Sequence, residues 1–280
     1  MRRRKKLYQL VFSLIILALS CWALLWFLRP GTQPRTQIFQ GIFLTVEETP
    51  SGRLMIVEVH WDTPGVQFSN RAYSFPVDPT NQDSPHYRTT FADWALFREG
   101  AAVLVNTTLF LPDSLKTFLP GYPVRSNETL VVDGEVSHVH DHSYLLYWDA
   151  DGNVHLQRSK PPSPESLDAA VSGIGLQGIP VSQGQVRPRA ISDHGEANAR
   201  TFIGVDPERK VLFLMAFEKA TPIQMLEQAV AHGVKVGGQV DGGSSTNLII
   251  GTGAKDLPPH TGIRGWRPVG PYLIVKAESL

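Results

Sequence analysis

Seven consecutive residues, Asp241-Gly242-Gly243-Ser244-Ser245-Thr246-Asn247, gather one carboxyl group, two glycines and three hydroxyls into a single short loop. A carboxyl group can give or take a proton, or face a developing cation. Glycines let backbone N–H groups come close to a ligand, and such groups together with hydroxyls suit the oxygens of a phosphate or a sugar. The loop therefore suits a polar, oxygen-rich ligand. A plain Gly-Ser turn between two strands uses the same residue types, and spacing alone does not separate the two readings.

The segments before the loop would position it. Thr201 to Val205 and Val211 to Phe217 are β-branched and apolar runs separated by Asp206-Pro207-Glu208-Arg209, which predicts a hairpin. Thr221 can cap a helix with Pro222 in its first turn and Gln224 three residues after the cap. Ile223, Leu226, Ala229 and Val230 give that helix an apolar face, and Gly233 stops it. Val234, Val236 and Val240 bring the chain back as a short strand that places Asp241 at its end, and Leu248 to Ile250 leaves the loop as another. Upstream, Thr90 or Asp93 can start a helix through Trp94, Leu96 and Phe97 that stops at Gly100, and Ala101 to Val105 forms a buried strand delivering Asn106.

Three segments recur in an order that resembles the phosphodiester glycosidase family: Asn106-Thr107-Thr108-Leu109-Phe110, Arg200-Thr201-Phe202-Ile203-Gly204 and Asp241-Gly242-Gly243-Ser244-Ser245-Thr246. Family members carry Asn-Gly-Gly-Phe-Phe, Arg-Thr-Ala-hydrophobic-Gly and Asp-Gly-Gly-Gly-Ser-Ser/Thr in these places. The last two match closely, whereas the first has lost both glycines. Thr89-Thr90-Phe91-Ala92 and Ala170-Val171-Ser172-Gly173 add to the resemblance, which spans roughly residues 40 to 276. It implies hydrolysis of a sugar-1-phosphodiester at the glycosidic bond, releasing a free sugar and a phosphomonoester.

On that resemblance the catalytic residues are Asp241, Arg200 and Asn106. Asp241 is the acid/base or sugar-side carboxylate, Arg200 holds the phosphate with Ser244, Ser245 and Thr246, and Asn106 orients a sugar hydroxyl or phosphate oxygen. Thr201, Gly242, Gly243, Ser172 and Gly173 complete the substrate-binding set. Glu218 is a candidate second carboxylate. Arg200 as a structural ion-pair partner is the competing reading. The alternative function is a non-catalytic envelope module that binds glycans or phosphorylated polymers through the same pocket. A Ser hydrolase is disfavoured, since the chain contains no Gly-x-Ser-x-Gly elbow.

The N-terminus carries a different message. Residues 1–6 contain five basic side chains, and 7–28 contain no charge. About twenty apolar residues cross a bilayer as a helix, and the basic flank keeps its end in the cytoplasm. The expectation is a basic cytoplasmic flank over 1–6, a transmembrane signal anchor over 7–28, a polar tether over 29–37 and an exported domain over 38–280, periplasmic or extracellular. A cleaved signal peptide would have a shorter apolar part and a small-x-small site before Arg29. A lipoprotein site at Cys21 is disfavoured because the apolar run continues past it. Cys21 is the single cysteine, so no disulfide forms within the chain. The zero formal charge hides an asymmetry: beyond residue 30 there are 20 basic against 26 acidic side chains, a net of −6. No basic stripe points to nucleic acid, and the excess of acid argues against indiscriminate polyanion binding, which leaves phosphate recognition to local groups.

The fold expectation is α+β: a single domain of mixed, mainly antiparallel β-sheets with a few helices, behind one N-terminal transmembrane helix. Ile38 to Glu47 and Arg53 to Trp61 read as a hairpin around Thr49-Pro50-Ser51-Gly52. Residues 66–88, 111–127 and 187–199 read as loops, the last carrying His194, Glu196 and Asn198. Thr129 to Asp133 and Glu135 to His142 read as strands, and Tyr144 to Trp148 with Val154 to Arg158 as a hairpin. His138, His140 and His142 would share one strand face, where a divalent metal is conceivable but an exposed polar strand is the simpler reading. Asp149 to Asn153 lacks the Gly and Glu positions of a calcium loop. No cofactor is predicted. The expected partners are a sugar-phosphate or glycan substrate and the lipid bilayer.

Overall fold

The computed structural model describes residues 13, 16, 20, 32–72, 87–111, 119–176, 178–187 and 195–280. Apart from the helical positions Ser13, Ile16 and Ser20, the expected anchor over 7–28 lies outside the described residues, as do the basic flank and His194. Among the described residues no helix is long and apolar enough to cross a membrane.

An eight-stranded sheet forms the frame, in the order Gln33–Phe39, Ile42–Thr49, Gly52–His60, Val211–Ala220, Asn198–Asp206, Val236–Gln239, Val181–Ser182 and Gln185–Val186. Every pairing among the described strands is antiparallel. The sheet is buried on both faces, and the Val211–Ala220 strand shows how. Leu212, Leu214 and Ala216 enter one core with residues of the other sheets, while Val211, Phe213, Met215 and Phe217 enter a second core under the helix Pro222–Ala231. A strand covered on both sides reads as a continuous apolar run, as this one does.

The large core lies between this frame and two five-stranded sheets. One of these orders Gly262–Ile263, Leu248–Ile250, Val103–Asn106, Tyr272–Lys276 and Gln67–Arg71; the other centres on Ser172–Leu176. Behind the first, the helix Ala92–Glu99 buries Ala92, Ala95 and Leu96 in a third core with Tyr87, Leu104 and Ile274.

Several expectations need correction. Residues 33–37, expected in the tether, belong to the first strand, and a turn at Gln40-Gly41 divides the run expected as one strand from Ile38. Gln67–Arg71, read as loop, is a strand because Tyr272–Lys276 supplies a full set of pairings. Three short strands, Tyr87–Arg88, Phe110–Leu111 and Pro123–Ser126, also form in or at the edge of segments read as loops, and a short helix, Pro164–Ala169, forms where no element was expected. The strand expected to reach His142 ends at His138. The helix at Ala92 has Phe91 as its cap without a side-chain bond, so neither Thr90 nor Asp93 caps it.

Candidate functional site

The site is assembled where four strands end together. Asn106 closes Val103–Asn106, Asp241 follows Val236–Gln239, Asn247 precedes Leu248–Ile250, and Thr201 lies in Asn198–Asp206. Asn106 ties them. Its Oδ1 accepts from the Thr201 hydroxyl at 2.8 Å and the Asn247 N–H at 2.8 Å, and its Nδ2 donates to the Asp241 carbonyl at 2.6 Å. The Asp241 N–H in turn donates to the Thr107 carbonyl at 2.8 Å. Asn106 was expected to orient substrate; the structure spends these bonds on positioning Asp241. Thr107 and Thr108, which stand where the family has two glycines, are buried, and the Thr107 hydroxyl donates to the Pro271 carbonyl at 2.9 Å.

The loop after Asp241 turns back through a 3-10 segment, Gly243–Ser245. The Gly242 N–H donates to Asp241 Oδ1 at 2.9 Å. At Gly243, φ is +61°, a left-handed conformation that glycine adopts freely. Ser245 and Thr246 are buried, whereas Gly242, Gly243 and Ser244 are half-buried. Among the described residues the Thr246 hydroxyl has no hydrogen-bond partner.

The cation against the carboxyl is Arg267, which the sequence reading did not single out. Its Nη2 lies 3.5 Å from Asp241 Oδ2, and its Nε donates to the Ser245 hydroxyl at 2.7 Å. The same guanidinium lies 4.7 Å from the Phe110 ring centre. Asp241 is 5 % exposed, and burial pushes its carboxyl up from 3.8 to about 6, although Ser245, Arg267 and the Gly242 N–H pull it back. Desolvation outweighs the nearby cation, so near neutrality the group sits close to its own midpoint, where an acid/base catalyst works best.

Arg200 is placed differently from expectation. Its Nε donates to the Ala220 carbonyl at 2.7 Å, Nη1 to Gln239 Oε1 at 3.2 Å and Nη2 to the Glu196 carbonyl at 3.1 Å. It fastens the segment before its strand to the neighbouring hairpin. Ser172 and Gly173 are likewise structural in their contacts: the Ser172 hydroxyl accepts from the Asn70 N–H, and the Gly173 carbonyl from the Asn70 side chain, both at 2.7 Å. Glu218 lies beside Gly52 at a hairpin end. The rings of His138, His140 and His142 are 6.2 and 5.7 Å apart in sequence order, and among the described residues no group of three His, Cys, Asp or Glu side chains is arranged to hold a metal.

The family model for phosphodiester glycosidases matches residues 99–276, which contain the Asn106, Asp241 and Arg267 cluster entire. The chain belongs to the phosphodiester glycosidase family. Two solved structures share its fold at low identity. The zebrafish N-acetylglucosamine-1-phosphodiester alpha-N-acetylglucosaminidase catalytic domain, auto-inhibited by its pro-peptide, is 15% identical with a TM-score of 0.55, over 90% of this chain and 87% of that one. A hypothetical protein from Synechocystis is 14% identical with a TM-score of 0.53, over 85% of this chain and 62% of that one. No curated protein matches. In this member of the family a further group lies within electrostatic reach of Asp241: the fully buried Tyr87 phenol is held well above its usual range, first by burial and then by the Asp241 charge. It therefore stays neutral.

Proposed function

We propose that this phosphodiester glycosidase is a membrane-anchored, exported hydrolase that cleaves the glycosidic bond of a sugar-1-phosphodiester, with its N-terminus cytoplasmic and its domain periplasmic or extracellular. The observation that carries the reading is the buried Asp241 carboxyl, with its midpoint at about 6, held 3.5 Å from the Arg267 guanidinium. A phosphodiester carries one negative charge, which Arg267, the Gly243 and Ser244 N–H groups and the Ser244 hydroxyl can receive. An anion seated beside Asp241 raises the carboxyl further and favours its neutral form.

Neutral Asp241 then gives its proton to the bridging phosphate oxygen as the bond to the anomeric carbon breaks. Water adds to that carbon and returns a proton to the Asp241 carboxylate, so the products are free sugar and a phosphomonoester. The departing phosphomonoester gains charge in the transition state, which Arg267 meets at short range. Asn106 and Thr201 act as positioning residues. The name of the zebrafish relative specifies an N-acetylglucosamine-1-phosphodiester, which supports this bond class for the present chain.

The test is turnover by the full chain on a panel of sugar-1-phosphodiesters, following free sugar. Asp241→Asn is expected to lose at least ~10³-fold in kcat/KM, and Arg267→Ala to raise KM as well as lower kcat. Saturable binding of the donors without turnover would replace this reading with the glycan-binding envelope module.

A further inference from the structure

Among the described residues four large aromatic side chains are strongly exposed: Phe91 and Trp94 at 47 %, Phe97 at 80 % and Trp266 at 72 %. Phe91, Trp94 and Phe97 recur every third residue, so they form one stripe along the start and outer face of the Ala92–Glu99 helix, away from the buried Ala92, Ala95 and Leu96. The stripe begins at the site's end of the domain. Thr90 bridges to Val269, Arg264 donates to Asp93 at 3.0 Å, and Trp266 is the chain neighbour of the Arg267 that faces Asp241. The exposed Arg98 guanidinium lies 5.0 Å from the Trp94 ring centre, which adds a cation to the patch.

The first described strand enters the frame on a row of residues that leads to the catalytic loop. Gln33 pairs with Val46, Val46 with Met55, Met55 with Ala216 and Ala216 with Thr201. The Thr201 carbonyl accepts the N–H of Val240, the residue before Asp241. This row crosses the eight-stranded sheet from the chain's entry to the catalytic loop. The first strand then runs away from that end, since Phe39 pairs with Ile42 and Ile42 with Val59. Five chain steps connect residue 28 to Gln33, a reach of at most about 18 Å. On the anchor reading above, the chain enters the frame on the same row as the catalytic loop, five strands away from it, and Trp and Phe side chains exposed toward that end are stabilised at a bilayer interface.

We propose that the patch of Phe91, Trp94, Phe97 and Trp266 seats in the bilayer interface, and that the site beside it takes sugar-1-phosphodiesters whose alcohol is a membrane lipid. The proposal rests on the hydrolase and anchor readings above and names the substrate class they leave open. Water adds to the anomeric carbon, the bond from that carbon to the phosphate oxygen breaks, and the lipid phosphomonoester stays in the membrane while free sugar leaves.

The full chain in phosphatidylcholine nanodiscs with chains brominated near the headgroup provides one readout that needs no activity. Trp94→Phe and Trp266→Phe are each expected to remove part of the bromine-quenched fluorescence; no loss in either overturns the docking. The second readout compares a sugar-1-phosphodiester of a long-chain lipid alcohol in the bilayer with one of a short soluble alcohol. Phe91→Ser/Phe97→Ser is expected to lower the lipid-to-soluble ratio of kcat/KM at least tenfold. An unchanged ratio, or turnover of the soluble donor alone, overturns the proposal while the hydrolase reading stands. No turnover of either donor by the unaltered chain removes the hydrolase reading and the substrate class with it, and quenching then decides the docking alone.

Discussion

Asp241 carries a raised midpoint because it is buried, and it is kept from rising further by Arg267 and Ser245. The direction gives a kinetic consequence. With the neutral carboxyl as proton donor, kcat/KM for a sugar-1-phosphodiester falls as pH rises through about 6. Arg267→Ala removes a group that lowers the midpoint, so the residual activity falls off at higher pH than in the unaltered chain. A rate that climbs through the same window would assign Asp241 as a base instead. At this scale the sequence was informative about the residues that lie together in one loop or end a strand: Asp241, Ser245, Asn106 and Thr201. Arg267 was not legible, because it comes from a Gly- and Pro-rich stretch 26 residues away and no period or motif links it to Asp241. Arg200 matched a family segment, but its donors go to the Ala220 and Glu196 carbonyls and to Gln239.

The elements that position the loop follow from local chemistry where that chemistry is strong. Thr221 and Gln224 form the reciprocal cap expected from their spacing: the Thr221 hydroxyl accepts from the Gln224 N–H at 3.2 Å, and the Gln224 side chain accepts from the Thr221 N–H at 2.9 Å. Thr221→Ala is expected to cost about 1 kcal/mol in urea unfolding with an unchanged slope, and Thr221→Ser to restore most of it. No loss would mean that packing of Met225, Leu226 and Ala229 under the sheet fixes the helix without its cap. The hairpin of Asn198–Asp206 and Val211–Ala220 was equally legible, since both strands are apolar runs, and Asp206 Oδ1 accepts the N–H groups of Glu208 and Arg209 in the turn. Gln67–Arg71 was not, because its polar residues earn their places only through partners distant in sequence. Asn70 is fully buried there, donating to the Val131 and Gly173 carbonyls. The first strand was hidden for the same reason, a polar edge segment stabilised by pairing rather than by its own pattern.

For the whole molecule, the buried carboxyl links stability to pH. Between the ordinary midpoint of 3.8 and the folded midpoint of about 6, the folded state holds a proton that the unfolded chain has released. Stability from this group therefore falls as pH rises across that window, by about 3 kcal/mol in all. Asp241→Asn removes this component, so unfolding free energies of the two proteins measured from pH 4 to 7 should differ most at pH 7, with the variant gaining relative to the unaltered chain. A constant difference would place the carboxyl in a more solvated setting than the structure gives it. The antiparallel, mainly β architecture was legible as a class from strand-length apolar runs and turn residues. The assignment of strands to their sheets was not, since it depends on pairings such as Leu248 with Val105 and Leu273 with Val105 that join distant segments. The central claim is that this assembly breaks the bond between the sugar and the phosphate. It is tested most directly by running the reaction in ¹⁸O-labelled water and weighing both products. The account predicts the label in the released sugar, with its appearance abolished in Asp241→Asn; label in the phosphate would mean cleavage at phosphorus and contradict it.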